Sequence, residues 1–225
     1  MSMIATLLPP QVASSDAAGY HRCPRLFPGE LDYAARFSHK RMQEFCTVRA
    51  CAGAALSRLG IARLPLVPST HGASTWPSGV VGSMTHTVGY CAAAVARSTA
   101  CLAVGIDAEP NVALPNTILS GVVASEEEER QFFSLMRIEP AVAWIRLLCS
   151  AKESLYKAWY PIGRRRLGFE AVSVALDLTK ASFTASLCPE ADPADVAVFA
   201  RLQGRWAVTR GLILTTATVM PSQGR

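Results

Sequence analysis

The stretch that most constrains how this chain can fold is AVAWIRLLCSAKESLYKAW, residues 141–159. Trp144, Leu148, Ala151, Leu155 and Trp159 recur at helical spacing, so one side of a helix there is buried. Pro161 disfavours helical backbone at the residue before it, so the helix is expected from about Ala141 to Trp159. Three charges, Lys152, Glu153 and Lys157, interrupt the middle of this apolar stretch. Glu153 and Lys157 lie one turn apart on one face. Such a pair is often only a solvated contact worth ~0.2–0.5 kcal/mol. A helix facing an anionic ligand and a metal would carry the same residues for chemistry.

The rest of the chain can bury such a helix. Half of its 225 residues are hydrophobic and 17% are charged, which excludes global disorder and allows a substantial core. The net charge of +5, from 22 Lys and Arg against 17 Asp and Glu, suits anionic partners. No nucleic-acid-binding motif accompanies it, so nucleic acid is not an expected partner. The seven cysteines include no CxxC pair and the four histidines are dispersed, which argues against zinc and for reduced thiols in a cytosolic protein. The N-terminus lacks the basic and apolar regions of a secretory signal. No run approaches the ~20 apolar residues of a membrane span.

Along the chain, residues 1–35 read as irregular or as a short strand. Phe37, Phe45, Val48, Cys51, Ala52, Ala55, Leu56 and Leu59 have helical spacing, with Gly60 as a stop. Residues 61–80 read as loop. A polar loop then leads to a buried strand, Tyr90–Ala96, and LAVGIDA (102–108) reads as its paired strand. Ser125 followed by Glu128 has capping-box form, so Glu126–Met136 is expected to be helical, with its four glutamates at the positive helix end on a solvated face. The remainder reads as strands: AVSVALDL, ASFTASLC, and RWAVTRGLILTTATV folding back near Arg210 and Gly211. The class is α+β, as two lobes of similar make-up meeting near residues 105–115.

Four segments carry candidate chemistry. In GIDAEP, Asp107 and Glu109 share one face of a strand. Their charges repel unless a cation lies between them, and a hard divalent ion with oxygen ligands would serve; a solvated strand end is the alternative. If Glu153 approaches them, it adds a third carboxylate, and Lys157 can hold a phosphate that the metal also touches. In WPSGVVGSMTH (76–86), Gly79 and Gly82 allow close backbone approach to a ligand, and Thr85 and His86 offer polar groups to a phosphate. In HKRMQEFCTVRAC (39–51), Lys40, Arg41 and Arg49 are either a solvated face or a phosphate grip.

Taken together, WPSGVVGSMTH, VGIDAEP and CSAKESLYKAWYP, in this order, resemble the signature blocks of the 4'-phosphopantetheinyl transferases. The type is the large, monomeric one associated with surfactin and enterobactin synthesis, in its actinobacterial branch. The resemblance spans roughly residues 37 to 220. It implies two pseudo-symmetric α+β lobes, residues 1–110 and 111–225, with the active site in the cleft between them. It implies transfer of the phosphopantetheine arm of coenzyme A to a serine of an apo acyl or peptidyl carrier protein, releasing adenosine 3',5'-bisphosphate, by a cytoplasmic enzyme. Asp107, Glu109 and Glu153 match the Mg²⁺-binding positions, with Asp107 also beside the coenzyme, and Glu153 matches the favoured general base. Lys152 and Lys157 would neutralise the pyrophosphate. Arg41, Arg49, Thr85 and His86 match positions that hold the 3'-phosphate and neighbouring groups. In the loop before Trp76-Pro77, where relatives often carry lysines for the coenzyme grip, this chain has Pro68 and His71, so His71 is the residue there that would take part in coenzyme binding. The basic loop Arg164-Arg165-Arg166 is a candidate contact for an acidic carrier, with Leu167 and Phe169 beside it.

Overall fold

The computed structural model describes residues 2–20, 25–69, 74–188 and 191–221. His71 lies outside them, so its expected part in the coenzyme grip has no structural counterpart to report.

Two antiparallel sheets, each covered by a 20-residue helix, make up the fold. The first holds strands β1 (Ala13–Ala18), β2 (Val80–Thr87) and β3 (Tyr90–Arg97) in the order β1-β3-β2. Helix α1 (Pro28–Ala34) precedes helix α2 (His39–Arg58). Ser38 caps α2 by accepting from Arg41 N. Val48, Cys51 and Ala52 of α2 pack on Cys91 and Ala93, the odd-numbered face of β3. Tyr90, Ala92, Ala94 and Ala96 turn the other way, onto Val104, Ile106 and Ala108. Burial on both faces explains why YCAAAVA is continuously apolar rather than alternating.

The second sheet holds β4 (Ala103–Pro110), β5 (Val172–Asp177), β6 (Ser182–Leu187), β7 (Leu202–Thr209) and β8 (Leu212–Val219), in the order β4-β8-β7-β6-β5. Helix α4 (Trp144–Gly163) lies across it and supplies the centre of the largest apolar core, flanked by α3 (Glu126–Ile138) and α5 (Pro193–Phe199). The last hairpin turns at Arg210 and Gly211, both with positive φ, as expected from the sequence.

Four expectations need correction. LAVGIDA does not pair with Tyr90–Ala96: β1 and β2 already occupy both edges of β3, and β4 pairs instead with β8, from Ala103↔Val219 to Pro110↔Leu212. The sheets therefore divide at the β3–β4 connection rather than at residue 110. GSMTH is strand rather than loop, because its alternating residues pair with β3 through a two-residue turn at Val88 and Gly89. Helix α4 runs through Pro161 to Gly163: the ring falls in the last turn, and Arg164, in the left-handed region, closes the helix by donating its N–H to Tyr160 O. Finally, five cysteines (51, 91, 101, 149 and 188) are free thiols but Cys46 is disulfide-bonded, so the thiols are not all reduced.

Side chains join the two sheets where β2 runs beside β4. Ser83 Oγ accepts from Ile106 N at 3.1 Å, and Thr85 Oγ1 donates to Asp107 Oδ1 at 3.1 Å. The N-terminal segment straps across the same junction. Ile4 and Leu7 are buried in the apolar cluster between the sheets, and Thr216 Oγ1 donates to Leu7 O at 3.1 Å.

Candidate active site

The site is built where α4 crosses β4. Gly105, Asp107 and Glu109 alternate onto the strand face that meets the helix. Four helix residues rise ~6 Å and two strand residues ~6.6 Å, so the two elements stay in step when they run antiparallel. The contacts follow that register. Arg146 Nη1 donates to Glu109 Oε2 at 2.9 Å, and Ser150 Oγ donates to Asp107 Oδ2 at 2.8 Å. Ser154 lies against Gly105, where a Cβ would come within 1.9 Å of Ser154 O. Lys157 Nζ reaches back to Asp107 Oδ1 at 2.7 Å and to Ile106 O at 3.3 Å. Asp107 is 5% exposed and accepts from Thr85, Ser150 and Lys157, three of the roughly four contacts a carboxylate can accept.

Glu153 is half-buried on the same side of α4. Burial pushes its pKa up, the Asp107 and Glu109 charges push the same way, and the Lys157 ammonium opposes them. The three acidic residues therefore feel one another, with Lys157 among them. Among the described residues, no three His, Cys, Asp or Glu side chains are gathered tightly enough to hold a metal ion as a ready-made cage. The donor set nevertheless fits a hard divalent cation: all three are carboxylates, and their mutual repulsion is what such an ion would relieve.

A second group lies across β2. Arg41, Arg49, Thr85 and His86 line one hollow, with Tyr33 and Phe45 on its wall and Pro68 and Ser74 at its edge. The expected grouping of those four polar residues is thus present. Arg41 Nη1 contacts His86 Nε2, and Glu44 holds both, at 3.4 Å from Arg41 Nη1 and 3.9 Å from His86 Nδ1. Burial lowers the His86 pKa and the Arg41 guanidinium lowers it further, so the imidazole is neutral at pH 7. Arg49 is 4% exposed, paired with Glu30 at 3.4 Å, donating to Leu66 O at 2.7 Å and stacked over the Phe45 ring. Burial lowers its pKa to about 10, so it stays charged. Gly82 does not serve ligand approach: the Trp76 indole covers it, and a Cβ there would come within 2.5 Å of the ring.

Lys152 is a correction. It is 1% exposed and faces the core, where Nζ donates to Glu128 Oε2 at 2.9 Å, Val122 O at 2.6 Å and Phe169 O at 3.0 Å. It has no surface left for a pyrophosphate. Glu128, expected on a solvated face, is 2% exposed and also accepts from Ala124 N and Val174 N. Of the basic loop, Arg165 is a tie rather than a free contact: it pairs with Asp195 and, at 3.4 Å, with Asp192. Arg164 and Arg166 remain exposed beside Tyr156 and Tyr160, while Leu167 and Phe169 pack against the core.

Sequence reasoning missed Arg146, Ser150 and Glu44. Arg146, Ser150 and Ser154 form an i, i+4, i+8 polar row that continues to Lys157, and that spacing was visible. Glu44 gave no signal, since an acidic residue three positions after Arg41 reads as a surface pair.

Comparison with known proteins identifies the family. Residues 30–96 match a family model described as the 4'-phosphopantetheinyl transferase N-terminal domain, and residues 103–210 match the 4'-phosphopantetheinyl transferase superfamily. The gap between the matches falls at the β3–β4 connection. The chain is 44% identical to the 4'-phosphopantetheinyl transferase Svp of Streptomyces mobaraensis, over 99% of this chain and 91% of that one. It is 37% identical to PptT of Mycobacterium tuberculosis, over 95% and 96%. It is 36% identical to Npt of Nocardia iowensis, over 95% and 98%.

Proposed function

The chain belongs to the 4'-phosphopantetheinyl transferase superfamily, and on that premise we propose how its side chains divide the work. The protein is a transferase that moves the phosphopantetheine arm of coenzyme A onto a serine of an apo carrier protein, releasing adenosine 3',5'-bisphosphate. We read it as a monomer of two lobes divided near residue 100, since one chain supplies every candidate group, and as cytoplasmic, the five free thiols among the described residues outweighing the one disulfide at Cys46. No helix among the described residues is long and apolar enough to cross a membrane.

In this reading the coenzyme's 3'-phosphate rests in the hollow of Arg41, Arg49, Thr85 and His86, where Arg41 keeps an exposed guanidinium edge for it. The pyrophosphate lies over the α4–β4 crossing, with Lys157 on its oxygens. The carrier's serine oxygen bonds to the phosphorus that bears pantetheine, and the bond from that phosphorus to the adenosine bisphosphate oxygen breaks. Glu153 takes the serine proton. Burial raises its pKa, and the charges of Asp107 and Glu109 add to that; a carboxylate within reach of the serine hydroxyl can serve as the general base. Asp107, Glu109 and Glu153 would hold Mg²⁺, which when bound offsets the charge of the pyrophosphate. Positioning and charge neutralisation are what phosphoryl transfer asks of a protein. Exposed Arg164 and Arg166, with Tyr156 and Tyr160, would meet an acidic carrier. Lys152 takes no part in coenzyme binding.

The observation that supports this reading is the register of α4 on β4, which brings the charge of Glu153 to bear on Asp107 and Glu109 with Lys157 beside them. The test strips divalent ions with a chelator and weighs an apo carrier after incubation with coenzyme A. The carrier should gain one phosphopantetheine arm only when Mg²⁺ is restored. Full transfer without any divalent ion would remove the metal from the proposal, and no transfer to any carrier tried would contradict the activity.

A further inference from the structure

Glu109 stands near the end of β4, where Pro110 closes the strand, and two side chains clamp this end to the start of α4 and the residues just before it. Asn111 Nδ2 donates to Ala141 O at 2.8 Å, and its Oδ1 accepts from Ala143 N at 2.8 Å. Arg146 Nε donates to Val112 O at 2.7 Å, while Nη1 donates to Glu109 Oε2 at 2.9 Å. The guanidinium is a rigid planar fork. Once Nε is fixed on a backbone carbonyl, the place of Nη1 is fixed too, and with it one oxygen of Glu109. Arg146 is 19% exposed at its side chain and Glu109 36%, so the pair is held at the rim of the site rather than loose in solvent.

We propose that Arg146 is a positioning residue for Glu109, holding Oε2 through its fork so that Oε1 is the oxygen presented to a divalent cation. The inference rests on the reading of Glu109 as a cation ligand. Two roles for Arg146 predict opposite signs. If its charge alone matters, it repels a cation, and removing it tightens cation binding. If its fork orients the ligand, losing the fork weakens binding even when the charge is kept. Lysine keeps the charge and cannot bridge Val112 O and Glu109 in the same geometry.

The test titrates Mn²⁺ into the protein saturated with coenzyme A, following free Mn²⁺ by electron paramagnetic resonance. Arg146→Lys should weaken Mn²⁺ binding about tenfold, the lower end of what partners of metal ligands typically contribute. The Mg²⁺ concentration giving half-maximal rate should rise in step, while kcat at saturating Mg²⁺ stays close to that of the parent. Asn111→Ala, which loosens the same strand end with Arg146 intact, should shift affinity in the same direction. Unchanged Mn²⁺ affinity in Arg146→Lys, or tighter binding in Arg146→Gln, overturns the proposal. Glu109→Gln separates the two levels: if it weakens Mn²⁺ and Arg146→Lys does not, the positioning role alone fails. If Glu109→Gln leaves Mn²⁺ affinity unchanged, the ligand reading fails as well.

Discussion

Adjacent residues on a helix point about 100° apart, and on α4 that angle separates two kinds of work. Glu153 faces Asp107 and Lys157, whereas Lys152 faces Glu128 and the core. A fully buried ion pair is costly to break one partner at a time, because the remaining charge loses its counter-ion. Lys152→Met is therefore expected to lower stability by about 3 kcal/mol, measured by denaturant unfolding, with the KM for coenzyme A unchanged in the folded fraction. A large rise in that KM at unchanged stability would restore Lys152 to the phosphate site. The sequence contained the signal: Leu148, Lys152, Leu155 and Trp159 share the apolar stripe, so a lysine there needs a buried acid. What it did not contain was which acid, since Glu128 is one of four consecutive glutamates and only tertiary packing selects it. His86 gives a pH-dependent test. Its folded-state pKa is lowered by burial first and then by Arg41. The folded protein thus binds fewer protons than the unfolded chain, whose histidines titrate near ~6.5. The stability of the neutral imidazole is present above that value and is lost as pH falls through the lowered folded value. The melting temperature of the parent should fall more steeply than that of His86→Gln on acidification below about pH 6.5; parallel curves would contradict a half-buried, neutral His86.

At the scale of elements, the α4–β4 crossing depends on Gly105. A Cβ at that position would come within 1.9 Å of Ser154 O and 2.6 Å of Ala158 N, both backbone atoms that cannot turn aside. Gly105→Ala should therefore push the helix off the strand. The expected cost is about 2 kcal/mol or more in thermal or denaturant unfolding, with lost transfer activity in whatever folds. A variant of normal stability and rate would show that the close approach is not needed. The helices with strong periodicity and the hairpin at Arg210 and Gly211 were legible in the sequence, because local spacing and turn chemistry determine them. The partner of β4 was not, because strand pairing over more than a hundred residues leaves no local mark. Helix α3 shows how packing completes what sequence begins. Ser125 caps it as the sequence predicts, but Glu128 and Gln131 then turn onto β5, accepting from Val174 N at 2.7 Å and Leu176 N at 3.1 Å. Side chains thereby satisfy the outer edge of the sheet, which is otherwise open to pairing with another strand.

At the scale of the whole molecule, the two sheets meet along β2 and β4, and both candidate ligand regions lie along that seam. Thr85 lines the basic hollow of the first sheet and donates to Asp107 of the second. Coenzyme A carries a phosphate at one end and a pyrophosphate further along, which is the order of groups that the proposed reading assigns to these two regions. The excess of positive charge over the chain favours both such a substrate and an acidic carrier. The four-residue step of α4 against the two-residue step of β4 matters most, because it brings the helix that bears Glu153 onto the strand that bears Asp107 and Glu109, residues distant in the chain. The most direct measurement pairs two readings on Glu153→Gln: phosphopantetheine transfer to an apo carrier by intact mass, and coenzyme A binding by calorimetry. Transfer should be abolished while coenzyme A still binds; a variant that transfers the arm at the parent rate would show that Glu153 is neither base nor ligand.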